Sequence, residues 1–149
     1  MIAALAALAP AAQAGSATTM TRSERSLVSA VNEVRRSNGL RPLRVDGALL
    51  RVARSHSTAM IRTNVFTHGA MGARLAASGA RGPSFGENLA WGVGPYASAR
   101  NIVAGWLASP PHRANLLRPG WTRIGIGAVR GTFMGRPGAL VITADFAGR

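Results

Sequence analysis

The sequence contains no cysteine among its 149 residues. Disulfide bonds, thiolate ligands for a metal ion and thiol nucleophiles are therefore all excluded. Any catalytic or metal-binding chemistry has to come from histidine, carboxylate and hydroxyl groups. Because there is no cysteine pattern to indicate a redox environment, the cellular compartment has to be inferred from the N-terminus.

Acidic residues are scarce: five Asp and Glu stand against 18 basic residues, giving a net charge of +13. A charge of this sign favours anionic partners such as lipid headgroups, acidic polysaccharide or nucleic acid. The arginines are dispersed, which an arginine-rich genome would also explain, and no basic run forms a charged tail. They also lack interleaved aromatic residues, so we do not expect a specific nucleic-acid-binding domain.

The chain also lacks an apolar run long enough to cross a bilayer. Residues 1–14 hold about 12 apolar residues where a spanning helix needs about 20. The run ends in a small-x-small pattern, Ala-Gln-Ala, which is typical of a signal-peptide cleavage site although a basic n-region is missing. We therefore predict a signal peptide over residues 1–14, a linker over 15–22, and a secreted or periplasmic protein. The alternative is a weakly helical, alanine-rich tail.

The remaining composition, with 47% hydrophobic and 15% charged residues, is typical of a globular protein. Its length leaves room for one domain, which we place at residues 23–149. Thr21 and Glu24 have the spacing of a capping box, so they predict the start of a first helix. Asp46 and Ser98 are suitable N-caps for two further helices, and the prolines at 110–111 are expected to end the last of these.

Two strands are predicted near the C-terminus. Residues 121–129 alternate between apolar residues and glycine, and residues 139–146 are rich in β-branched residues. A glycine-rich turn at 135–138 separates them, which predicts a two-stranded antiparallel ribbon. Helices in the first two-thirds of the chain and strands at its end indicate the α+β fold class.

Three residues stand out as carriers of chemistry: His68 after a helix, Glu87 in a Gly-Glu-Asn sequence, and His112 after two prolines. Two imidazoles and one carboxylate suit a divalent cation such as zinc, and without metal they could form a hydrogen-bonded cluster. Their separations of 19 and 25 residues match no short metal motif. A third histidine, His56, lies on an apolar helical stripe and is expected to have a structural role.

Four sequence blocks occur in a characteristic order: F-T-H, G-E-N-L-A-W-G, W-x-x-S-P-P-H-R-x-N-L-L and R-I-G-I-G. This order resembles the CAP superfamily of cysteine-rich secretory, antigen 5 and pathogenesis-related proteins. The similarity is greatest to the cysteine-free SCP-like domains of bacteria, and it extends from Ser26 to Phe146. It implies an α-β-α sandwich, with helices around a small antiparallel sheet and a cleft.

The same resemblance implies a site in which His68, Glu87 and His112 converge, as metal ligands or as catalytic residues. Many eukaryotic members have a second glutamate at the position that Ser109 occupies here. We therefore expect a binding domain for a small or lipid-like ligand of the cell envelope, with Asn88, Ser109 and Trp91 in its cleft.

The expected binding domain is a monomer that can also attach to an anionic envelope surface and can take up a divalent cation such as zinc. The alternative is a metal-dependent hydrolase of peptide or ester bonds, with Glu87 as the general base. No G-x-S-x-G sequence supplies a covalent nucleophile for such an enzyme.

Overall fold

The computed structural model describes residues 19–149. The predicted signal peptide, and the first part of the predicted linker, lie outside the described residues. Within the described part of the chain, none of the helices combines the length and the apolar character needed to cross a membrane.

The first helix, α1, spans Arg22–Ser37 and begins with the predicted capping box. The Thr21 hydroxyl accepts a hydrogen bond from the Glu24 N–H, and the Glu24 carboxylate accepts one from the Thr21 N–H at 2.6 Å. Together these bonds satisfy two donors that a helix start leaves without partners. The prediction of this helix is confirmed.

The second helix, α2, spans Gly47–Thr63, and the Asp46 carboxylate caps it as predicted. It ends at Thr63, so the helix that was expected to precede His68 stops several residues before it. The reason is Asn64, which adopts a left-handed conformation with φ of 54° and so terminates the helix. A connecting segment therefore carries His68 from the end of α2 to a short helix, α3, at Met71–Ala76.

The helices after the middle of the chain include one that the sequence did not predict. Ser98 caps α4 at Ala99–Ala108, and a short 3₁₀ turn at Gly94–Ala97 precedes it. The two prolines follow the end of α4, as expected, but they also begin a further helix, α5, at Pro110–Leu116. Proline is tolerated in a first helical turn because the N–H it lacks has no partner there.

In the described part of the chain, four strands form one sheet: β1 at Arg44–Val45, β2 at Ser84–Gly92, β3 at Trp121–Phe133 and β4 at Arg136–Gly148. Their order across the sheet is β1-β3-β4-β2. The predicted C-terminal ribbon is confirmed and is longer than expected, with β3 at Trp121–Phe133 and β4 at Arg136–Gly148. The Gly-Glu-Asn sequence lies in a strand, β2 at Ser84–Gly92, which pairs antiparallel with β4. Only β1, the two residues Arg44–Val45, pairs in parallel, with β3.

The sheet is the middle layer of an α-β-α sandwich, as predicted. Helices α1, α4 and α5 cover one face around the buried Trp106, while α2 covers the other face. Helix α2 approaches β3 closely at two glycines: a Cβ atom at Gly127 would lie only 2.3 Å from the backbone nitrogen of Arg54. Because residues alternate along β2 and β4, their side chains divide between the two faces of the sheet.

Candidate functional site

Glu87 lies on β2 with its side chain fully buried, and two partners hold its carboxylate. One oxygen, Oε1, is 2.7 Å from Nδ1 of His68, and the other, Oε2, accepts a hydrogen bond from Nη2 of Arg74. A carboxylate without a proton only accepts hydrogen bonds, so Nδ1–H of His68 is the donor in this contact. The other ring nitrogen, Nε2, takes no part in this contact with Glu87.

Arg74 is a member of this site that the sequence analysis did not identify. It extends from α3, and besides binding Glu87 it donates a hydrogen bond to the backbone oxygen of His68 at 3.0 Å. Arg74 therefore attaches the connecting segment that carries His68 to the edge of the sheet. The only signal in the sequence was an arginine in a short helical segment just after the Thr-His-Gly sequence.

Asp145 is a second site residue that the sequence analysis missed. It is fully buried on β4, directly opposite Glu87 in the antiparallel register, so both side chains lie on the α2 face. No hydrogen-bond donor among residues 19–149 reaches either Asp145 oxygen. Burial, reinforced by the charge of the Glu87 carboxylate, raises the pKa of Asp145 to about 9.

At neutral pH the carboxyl group of Asp145 therefore carries a proton, and it can donate this proton to Glu87 in a hydrogen bond. The sequence did contain a signal for this residue, since Asp145 is the only charged residue of the predicted apolar strand over 139–146.

His112 lies in α5 and is half-buried. Burial and the neighbouring His68 lower the pKa of His112, so its ring is neutral at neutral pH. Its backbone oxygen accepts a hydrogen bond of 3.1 Å from the Asn88 side chain, and the Asn88 oxygen accepts one from Asn115. Asn88, predicted as a cleft residue, is thus buried and joins β2 to α5.

His56 is placed as a structural residue, as the apolar stripe suggested. It is buried on α2, and its Nε2 lies 2.8 Å from the backbone oxygen of Thr67, to which it donates. Burial, and then the charge of Arg74, lower the pKa of His56, so this ring is also neutral at neutral pH. The hydrogen bond fixes the connecting segment one residue before His68.

Two clefts open beside these residues. The first, here called the glutamate cleft, has a volume of about 600 Å³ and lies between β2 and the start of α3. His68, Glu87 and Asn115 are its polar lining residues, and the rest of its wall is made of small residues and Met71.

The second, here called the tryptophan cleft, has a volume of about 460 Å³ and lies between α4 and β2. Trp91 and Trp106 are among its lining residues, and Ser109 and His112 add a hydroxyl and an imidazole. Trp106 is fixed by a 2.9 Å hydrogen bond from its ring nitrogen to the Leu89 backbone oxygen. The two predicted histidines therefore line different clefts.

The predicted three-ligand metal site does not fit this arrangement. Among residues 19–149 no three His, Asp or Glu side chains are grouped so that they could hold a metal ion. Both oxygens of Glu87 already accept hydrogen bonds, one from His68 and one from Arg74. A divalent cation therefore stays a prediction of the resemblance.

Sequence comparison identifies relatives over most of the chain. The sequence profile of the cysteine-rich secretory protein family, CAP, matches residues 28–144. The uncharacterized protein YkwD of Bacillus subtilis is 34% identical over 107 residues, which cover 68% of this chain and 40% of YkwD. The uncharacterized membrane protein YlbC of the same bacterium is 34% identical over 104 residues, covering 66% and 29% respectively. The chain thus spans less than half the length of these curated relatives.

Structural comparison gives the same fold. An extracellular protein of Bacillus anthracis that contains a SCP domain superposes with a TM-score of 0.71 at 26% identity, covering 85% of this chain and 40% of that one. An outer surface protein of Borrelia burgdorferi superposes with a TM-score of 0.70 at 23% identity, covering 85% and 92%. Because the family profile matches far more than half of the residues, this chain belongs to the cysteine-rich secretory protein (CAP) family.

Proposed function

We propose that this chain is an exported binding domain whose tryptophan cleft holds a small amphiphilic, lipid-like molecule of the cell envelope. The observation that carries the proposal is the composition of that cleft: two tryptophans and further apolar side chains lie beside a few polar groups, namely the His112 imidazole, the Ser109 and Tyr96 hydroxyls and the Asn101 amide. Export is supported by the predicted signal peptide and by the extracellular and outer-surface locations of the structural relatives from Bacillus anthracis and Borrelia burgdorferi.

The dimensions and chemistry of the tryptophan cleft suit such a ligand. A volume of about 460 Å³ lies in the range of small-molecule sites. The aromatic walls provide apolar surface for a hydrocarbon chain or ring system. His112 is neutral at neutral pH and can donate or accept a hydrogen bond, and Ser109 can do the same, so together they suit an uncharged or weakly polar head.

The alternative function, hydrolysis with Glu87 as the general base, has less support from the geometry. A general base needs a free lone pair aimed at the proton that it removes. The Glu87 carboxylate instead accepts hydrogen bonds from His68 and Arg74 and faces the protonated Asp145. Its burial within this network favours a role in holding the connecting segment in place.

Two glycines allow a matched test of the proposal. Gly105 lines the tryptophan cleft and Gly72 lines the glutamate cleft; both lie in helices, and an added Cβ would meet no atom within 4 Å at either position. Gly105→Leu should therefore fill the tryptophan cleft without disturbing the core, and Gly72→Leu should fill the other cleft. Both substitutions also place a better helix former at a glycine position.

The measurement is fluorescence titration of the full chain with the methyl ester of cis-parinaric acid, a fluorescent lipid whose head is uncharged. We expect Gly105→Leu to weaken binding at least about tenfold, since a buried ligand loses much of its apolar contact, while Gly72→Leu binds as the wild type does. Loss of binding only in Gly72→Leu would show that the ligand binds in the glutamate cleft instead. Absence of binding by the wild-type chain would refute the proposal that the tryptophan cleft holds a lipid-like molecule.

A further inference from the structure

Exposed apolar side chains are concentrated at one edge of the molecule. Of the five large hydrophobic residues exposed among residues 19–149, Phe66 and Tyr96 line the tryptophan cleft, Val65 adjoins Phe66, and Met134 is hydrogen-bonded to Asn64, the residue before Val65. These four are here called the rim patch: Val65, Phe66, Tyr96 and Met134, with exposed fractions of 49%, 40%, 74% and 43%. The fifth, Val45, belongs to the short strand β1 at the other edge of the sheet.

The rim patch is built from three segments, of which the segment after α2 and the β3–β4 turn are in direct contact. Phe66 and Tyr96 both line the tryptophan cleft, Phe66 from the connecting segment after α2 and Tyr96 from the 3₁₀ turn. The ring of Phe66 packs edge-on against Phe133, with centroids 6.3 Å apart. The backbone N–H of Met134 donates a 2.7 Å hydrogen bond to the Asn64 side chain, which joins the β3–β4 turn to the residue before Val65.

Met134 occupies a backbone conformation that favours other residues. Its φ of 49°, followed by 71° at Gly135, matches a tight hairpin turn in which both central residues have positive φ. Asparagine, aspartate and glycine are preferred at such positions, whereas a bulky residue there is strained. The local backbone conformation therefore does not explain why a methionine occupies this exposed tip. We infer that its side chain contacts a partner outside the molecule.

The surroundings of the rim patch are cationic. Arg62 lies in the last turn of α2, just before Val65, and Arg136 follows the β3–β4 turn; both are exposed. No Asp or Glu occurs between residues 88 and 144, or between 47 and 86. Most of the carboxylates elsewhere are engaged with arginine: Glu24 with Arg54, Asp46 with Arg123, and Glu87 with Arg74.

We propose that the rim patch is a docking surface for an anionic lipid bilayer, into whose interface Met134, Val65 and Phe66 insert while the flanking arginines meet the headgroups. Apolar side chains at turn tips, surrounded by arginine, are the chemistry by which a peripheral protein binds such a surface. Docking in this orientation places the mouth of the tryptophan cleft at the lipid. The docking does not depend on the ligand proposed above, because vesicles without any added ligand are sufficient to test it.

The absence of cysteine allows a position-specific test on the full chain. Met134→Cys and, as a matched control, Val45→Cys each introduce one thiol, which is labelled with the environment-sensitive dye NBD. Both starting residues are exposed to a similar extent, 43% and 41%. Each labelled protein is mixed with vesicles of phosphatidylglycerol and phosphatidylcholine, and separately with vesicles of phosphatidylcholine alone.

We expect the emission at position 134 to shift to the blue and brighten with the anionic vesicles, while the emission at position 45 stays unchanged. The double substitution Val65→Ser with Met134→Asn should weaken vesicle binding about tenfold, since two apolar anchors are lost; asparagine suits the positive φ, so the turn is retained.

No shift at position 134, or equal shifts at both positions, would overturn the proposal. A shift at position 134 that grows with protein concentration in the absence of vesicles would also overturn it, because it would assign the rim patch to a second copy of the chain. Since the N-terminal residues are identical in every variant, the difference between the two positions reports the rim patch alone.

Discussion

The protonated carboxyl group of Asp145 makes a quantitative prediction about stability and pH. Asp145 is buried opposite Glu87, and its pKa is raised from an ordinary value of 3.8 to about 9 in the folded chain. Between these two values the folded chain binds one more proton than the unfolded chain does. The free energy of unfolding must therefore fall as the pH rises through this window.

The magnitude follows from that one proton. Each pH unit inside the window removes about 1.4 kcal/mol of stability, because the unfolded chain releases the Asp145 proton and the folded chain retains it. The interval from pH 7 to pH 8 isolates this effect. The lowered pKa values of His56 and His112 act mainly below pH 6.5, where they make stability rise with pH.

The perturbation is Asp145→Asn, because an amide is nearly the same shape as a neutral carboxyl group and can still donate a hydrogen bond to Glu87. The assay is urea unfolding followed by tryptophan fluorescence at pH 7 and at pH 8. We expect the wild type to lose about 1.4 kcal/mol between the two, while the variant stays nearly constant. Equal slopes in both proteins would refute the reasoning, since the slope would then belong to other groups.

Two further pairs of substitutions test the packing and the site through the free energy of urea unfolding. Gly127→Ala should destabilise the fold by about 3 kcal/mol, because the new methyl group would overlap the α2 backbone; Gly72→Ala, where the space is open, should stabilise it by about 0.5 kcal/mol. Arg74→Met should remove about 3 kcal/mol, because the buried Glu87 loses its cation. Arg123→Met, whose partner is less buried, should remove only about 1 kcal/mol, and a reversed order would contradict this account.

Local signals in the sequence were sufficient for the helix starts and for the C-terminal ribbon. The capping box of Thr21 and the carboxylate cap of Asp46 operate through bonds to residues two or three positions away, so a short window contains all the information. The alternating glycine and apolar residues of β3 similarly indicate its two sides, and the glycine side is the one that faces α2. These predictions are confirmed because the physics that decides them is local.

Other elements required the tertiary structure. The two prolines after α4 were interpreted only as a stop, yet they also start α5, which is held in place by the Asn88 hydrogen bond to the His112 backbone oxygen. The Gly-Glu-Asn segment becomes a strand because β4 offers it a long antiparallel partner. Neither outcome can be determined from a short window, because the deciding partner is distant in sequence.

The same distinction applies to the candidate site. The sequence alone predicted that the chemistry would rest on His68, Glu87 and His112, because cysteine is absent and these blocks resemble the CAP family. Only the tertiary structure decided how they are placed: His68 and Glu87 are in contact, whereas His112 lines the other cleft. The physical reason is that strand register and helix packing set which side chains meet. Register also placed Asp145, 58 positions after Glu87, opposite that residue in the sheet.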